Sequence, residues 1–175
     1  MRSLIKIALA VSLASSSTFA FGYWNNDKWI SFQDEIIMTG EPVYSAVSTK
    51  NIAIYGGPNE MRIGYKCLAG EIRFFLDNGA YLGPNGSQVD VLIRADDKKP
   101  KYITMTVYTG ANEEAYYKDD VKSLATYIMG ATKLTMQIAP RYRDRWVTIF
   151  KMVGSDQAIR KTYEFCDDSL DQPNF

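Results

Sequence analysis

Two cysteines, Cys67 and Cys166, constrain this chain more than any other feature, because its first 20 residues say where they will meet. Arg2 and Lys6 form a short basic start. Leu4 to Leu13 is a mostly apolar run, far short of the ~20 residues needed to span a bilayer. Small residues at Thr18 and Ala20 follow it. The pattern predicts a secretory signal peptide over residues 1–20, cleaved after Ala20. No cysteine stands at the cleavage site, so the signal is not of the lipoprotein kind. An even pair of cysteines delivered to an oxidising compartment becomes a disulfide. A Cys67–Cys166 bridge closes a loop worth on the order of 4–5 kcal/mol in the chain-entropy account. Any fold for this chain must therefore bring its middle and its end together.

The expected mature chain, residues 21–175, is one ordinary domain and large enough to fold on its own core. Losing Arg2 and Lys6 leaves 18 basic against 20 acidic residues, a net charge of −2. That balance argues against nucleic acid as a partner and against a polybasic membrane anchor. The aromatic content of 13%, with twelve tyrosines, suits strands with half-exposed faces. Nothing after residue 20 is apolar for long enough to cross a membrane as a helix.

Period-two alternation recurs along the chain, and it predicts strands. Trp29 to Met38 suggests a short one. Val43 to Thr49 follows, with Val43, Ser45, Val47 and Thr49 on one side, and Gly56-Gly57-Pro58 breaks the segment. Met61, Ile63, Tyr65 and Cys67 alternate with Arg62, Gly64, Lys66 and Leu68, which sets Cys67 on the apolar face. After the Ala69-Gly70 turn comes a returning strand, Glu71 to Leu76. Asp77-Asn78-Gly79 and Gly83-Pro84-Asn85-Gly86 are turn signals. Gln88 to Arg94 and Lys101 to Thr109 flank a charged hairpin loop, Asp96 to Pro100. Asp119 or Asp120 then caps a helix whose Val121, Leu124, Ala125 and Ile128 form one stripe, with Gly130 at its end. Leu134 to Ala139 and Arg145 to Val153 are strands. Gly154-Ser155-Asp156 opens a last helix carrying Ala158, Ile159, Tyr163 and Cys166 at helical spacing. Residues 167–175 form an acidic tail expected to be disordered. The expected fold is thus α+β, mainly β: an antiparallel β-sandwich with two helices and one disulfide over residues 21–166.

The chain has no histidine. That removes the Ser-His-Asp and Cys-His arrangements and most zinc sites. Two distant cysteines make neither a Cys-x-x-Cys redox motif nor a tetrahedral metal site. The carboxylate doublets Asp34-Glu35, Asp96-Asp97, Glu113-Glu114, Asp119-Asp120 and Asp167-Asp168 are not catalytic dyads where they lie on strands, since neighbours there face opposite sides. The others fall in expected loops, a helix cap and the tail. Asp96-Asp97 lacks the ligand spacing of an EF-hand. Neither glycine-rich turn ends in the Lys-Ser/Thr of a phosphate loop, and no Gly-x-Ser-x-Gly elbow occurs. No catalytic residue, cofactor or metal is expected. The most unusual run is Arg141-Tyr142-Arg143-Asp144-Arg145-Trp146. In an extended chain Arg141, Arg143 and Arg145 share one face, with Tyr142 and Trp146 on the other. Three guanidinium groups on one face suit an acidic partner surface. The same alternation also describes a solvated hairpin with Trp146 turned into the core.

The order of these segments carries a resemblance. A Trp-bearing N-terminal segment precedes a strand ending in Cys67 and the hairpin around Asp77-Asn78-Gly79-Ala80-Tyr81-Leu82. Then come Val89-Asp90-Val91-Leu92-Ile93-Arg94, Asp97-Lys98-Lys99-Pro100, an amphipathic helix, two strands ending in Val153-Gly154, and a short helix finishing in Cys166. Over roughly residues 60–166 this resembles the type VI secretion accessory family called TagO or VasI. More loosely, it is similar to the invasion-associated locus B family. The chain departs from the first family in being shorter and in the acidic tail after Tyr163-Glu164-Phe165-Cys166. The resemblance implies a periplasmic β-sandwich with two helices and an accessory role without known catalysis. The expectation is a non-enzymatic periplasmic interaction protein whose partner is an envelope or secretion-machine protein. A periplasmic inhibitor or small-ligand-binding protein, and a carboxylate-based hydrolase, are the alternatives.

Overall fold

A computed structural model of the chain describes residues 28–36, 39–48, 51, 54–58, 60–109, 113–140, 144–168 and 170. The expected signal peptide and cleavage site lie outside the described residues, as do Arg141, Tyr142 and Arg143. No helix among the described residues is long and apolar enough to cross a membrane.

Nine strands and two helices make the fold. They are β1 (Ile30–Glu35), β2 (Pro42–Val47), β3 (Arg62–Leu68), β4 (Glu71–Asp77), β5 (Gln88–Ala95), β6 (Lys101–Thr109), β7 (Glu113–Tyr117), α1 (Val121–Ile128), β8 (Lys133–Ala139), β9 (Trp146–Lys151) and α2 (Ser155–Phe165). The strands form one antiparallel sheet in the order β1-β2-β3-β4-β7-β6-β5-β8-β9. The architecture is the expected one, mainly β with two helices and a disulfide, but its two layers belong to a single coiled sheet. Its two ends are drawn together. The Trp29 backbone N–H donates to Val153 O at 2.9 Å, and the Trp29 indole Nε1 donates to Lys151 O at 3.1 Å. The segment before β3 also reaches β9: Ile54 N donates to Val147 O, and Val147 N donates to Tyr55 O at 3.0 Å. Gly56 permits that approach. It has φ of +70°, and a Cβ there would lie 2.9 Å from Arg145 O, a combination only glycine accommodates.

Alternation decides what the coiled sheet encloses. In β3, Ile63 and Tyr65 are fully buried and Cys67 nearly so, with Met61 just ahead of them. In β5 and β8, Val91, Ile93, Leu134, Met136 and Ile138 point the same way, and all are fully buried. The α1 stripe of Val121, Leu124, Ala125 and Ile128 joins them, capped by Asp120, whose carboxylate accepts from Ser123 N. The α2 helix lays Ala158, Ile159, Thr162 and Tyr163 against this core. It packs on β1, β2 and β3. Cys166 caps its C-terminal end and is bonded to Cys67, with 5.7 Å between the Cα atoms. The bridge thus fastens the last helix to the strand that carries the fully buried Tyr65.

Local details refine the picture. In β2, Val43, Ser45 and Val47 share one side as the alternation predicts, and it is the outer one, while Tyr44 and Ala46 lie opposite Cys67 and Tyr65. Glu113-Glu114, expected in a loop, belongs to β7, which pairs with both β4 and β6. Ala115 is the fully buried residue of that strand. Beyond α2, Asp168 N donates to Tyr163 O and Leu170 packs on the core, while most of the expected tail, residues 171–175, lies outside the described residues.

Candidate interaction face

The outer face of the sheet gathers the side chains that the core rejects, and the two halves treat them differently. Across β3, β4, β6 and β7 they satisfy one another. Gly64 has no side chain, and the Phe75 ring lies over it; a Cβ at Gly64 would sit 2.7 Å from that ring and 2.2 Å from Ala46 O. The Lys66 ammonium stands 4.9 Å above the Phe75 ring centre and 3.5 Å from the Glu114 carboxylate. It also donates to the Tyr116 hydroxyl at 3.3 Å, while that hydroxyl donates to Glu114. Burial, and then the bond to Glu114, push the Tyr116 phenol well above its ordinary range, so it stays a donor. Arg73 pairs with Glu71 and lies 5.8 Å from the centre of the Tyr116 ring, and Tyr108 meets the same ring edge-on.

Across β5, β8 and β9 the outer face holds like charges side by side. Lys133 and Lys151 are directly opposite in the β8–β9 ladder. Like charges in that relation repel. Arg94 pairs with Thr135, which places it diagonally from Lys133. All three cations are exposed. Tyr102, 80% exposed, lies across from Leu92 on the same face, and Ile149 is also exposed there. Asp96 stands at the rim. Its carboxylate accepts from Thr132 Oγ1 at 2.8 Å and from the backbone N–H groups of Thr132 and Lys133. Those bonds, the Thr132 hydroxyl foremost, hold its pKa below the usual carboxylate value.

The sequence repeats this partition. The segments 88–109 and 131–153 hold nine basic and four acidic residues, whereas 28–87 and 113–120 hold ten acidic and six basic. The arginine run belongs to the basic part. Arg145 is exposed just before β9, in step with Ile149 and Lys151, and Trp146 is buried at 1% exposure. The lysines of the two strands escaped the sequence reading because their pairing is a matter of register, which alternation within one strand does not reveal. Lys66 and Glu114 escaped it because β7 did. Among the described residues no cluster of three or more cysteine or carboxylate side chains has the arrangement to hold a metal ion. Comparison with protein-family models, curated proteins and solved structures found no match to this chain.

Proposed function

We propose that the protein is a non-enzymatic binding module of the bacterial envelope that recognises an acidic protein surface with the basic half of its sheet. The observation that carries this reading is the set of exposed cations Arg94, Lys133 and Arg145 in the part of the sheet whose sequence holds nine basic and four acidic residues. An anionic partner surface is the complement of that charge. Exposed Tyr102 and Ile149 add apolar contact of the kind that anchors interfaces. Arg141, Tyr142, Arg143 and Arg145 extend the same charge along the chain. The disulfide and the signal-like start of the sequence support a periplasmic setting, with an envelope or secretion-machine protein as partner.

Two triple variants test it: Arg94, Lys133 and Lys151 to Gln, and Arg141, Arg143 and Arg145 to Gln. Both keep the wild-type melting temperature to within a few degrees, because exposed substitutions cost little. Capture of partners from periplasmic extract weakens with salt for the wild type and is lost with the first variant. Equal, salt-independent capture by all three proteins overturns the assignment.

A further inference from the structure

The two edges of the coiled sheet end differently. The outward backbone groups of β9 are largely engaged: Val147 by Ile54 and Tyr55, Lys151 O by the Trp29 indole, and Val153 O by Trp29 N. Among the described residues no strand pairs with the β1 edge. Ile36 N donates to Glu41 O, and Ser48 N donates to Ile63 O. Combined with the register of β1 on β2 and of β2 on β3, these bonds turn the backbone groups of Ile30, Phe32 and Asp34 toward β2. Ser31, Gln33 and Glu35 therefore aim their N–H and C=O groups outward. Trp29, the preceding residue of that set, is the one bonded to β9, and there the closure stops. Among the described residues no other strand pairs with the next three; the Glu35 N–H donates to the carboxylate of Asp34 beside it at 2.9 Å. Residues 31–35 are exposed, and Phe32 leaves 45% of its surface in water.

A bare edge is a template for another strand. Its chemistry selects which. Asp34, Glu35 and, across the hairpin, Glu41 are acidic, and Lys28 is the cation at the strand's start. Two copies joined edge to edge would crowd both Asp34 and both Glu35 side chains into one ribbon, which disfavours self-pairing. We propose that the β1 edge accepts an extended basic segment of a partner protein as a tenth strand, with Lys or Arg near Asp34 and Glu35 and an apolar residue against Phe32. The site is separate from the basic face and recognises the opposite charge.

The test uses the full-length oxidised protein and two synthetic peptides, Lys-Val-Lys-Val-Thr-Lys and Glu-Val-Glu-Val-Thr-Glu. The basic peptide protects the amides of Ser31, Gln33 and Glu35 from hydrogen exchange, and leaves those of Ile30, Phe32 and Asp34 as they were. The acidic peptide protects none. Gln33→Pro removes an outward donor and no bond of the β1–β2 ladder, so it weakens the basic peptide by about tenfold while the fold persists. Asp34→Lys with Glu35→Lys removes the side-chain acceptor of the Glu35 N–H but no bond of the β1–β2 ladder, and reverses the preference to the acidic peptide. The proposal fails if the basic peptide protects none of the three amides, or if the charge-reversed protein keeps the wild-type preference. It fails equally if sedimentation shows a dimer that Gln33→Pro dissolves, since the edge then belongs to a second copy.

Discussion

The half of the sheet built from β3, β4 and β7 and the half built from β5, β8 and β9 obey the same alternation and bury their inner faces equally well. Their outer faces differ. In the first, Lys66, Glu114, Tyr116 and Phe75 form a closed set in which each polar group answers another. In the second, Lys133 faces Lys151 across the ladder. A period of two therefore tells which face a residue takes and nothing about what stands beside it across the ladder. One half sets opposite charges together, and the other sets two lysines opposite each other.

Four sets of variants would break or sharpen this contrast. The largest effect belongs to Trp146→Ala. The ring is buried at the start of β9, just beneath the basic face. Its loss should cost about 3–5 kcal/mol in denaturant unfolding. A cost below about 1 kcal/mol would mean that the ring is not core. Next is the bridge. Cys67→Ser and Cys166→Ser should each lower stability by about 2–4 kcal/mol without reductant, and dithiothreitol should bring the wild type to the same level. Gly64→Ala probes the partnered half. The new methyl group collides with the Phe75 ring and Ala46 O, for about 1–3 kcal/mol. If that variant melts like the wild type, the ring does not sit over β3. The smallest effect has the opposite sign: Lys151→Glu places an acid across from Lys133 and should raise stability by about 0.2–1 kcal/mol. If it lowers stability instead, the repulsion ascribed to the two lysines is absent.

A pH titration probes the rim of the second half, where Asp96 joins the end of β5 to the start of β8. Because hydrogen bonds from Thr132 and Lys133 depress the Asp96 pKa in the folded state, its contribution is complete above the unfolded value, near pH 4. It is lost as pH falls through the lower folded value. Wild type should therefore lose more melting temperature between pH 6 and pH 3 than Asp96→Asn does. Equal losses would show that the carboxylate does not bind this loop.

Much of the fold was legible in the sequence because it rests on local rules. Met61 to Cys67 spelled out a buried strand face, Asp120 to Gly130 a capped helix, and the cysteine pair the one long-range contact. What the sequence hid was pairing between distant segments. β7 is five residues long, and its two adjacent glutamates outweigh the strand preference of Tyr116 and Tyr117. β4 and β6 hold it on both sides. Which side of β2 faces the core depends on its register on β3, which sets Ala46 against Tyr65. Of the candidate site, the arginine run was visible as composition. The Lys133–Lys151 opposition and the free groups of β1 emerge only when strands are laid beside one another.

The meeting of Trp29 with Lys151 and Val153 has a consequence for how the molecule is made. The hairpins β1–β2, β3–β4, β5–β6 and β8–β9 each join neighbours in sequence, and each can form as its residues appear. The closing bonds cannot, because the Trp29 indole finds its acceptor 122 residues later. The bridge to Cys67 forms later in synthesis, when the residue that caps the last helix appears. A chain growing from its N-terminus therefore holds an open sheet until β9 arrives, and the last helix then covers β1, β2 and β3 and is fastened there by the bridge.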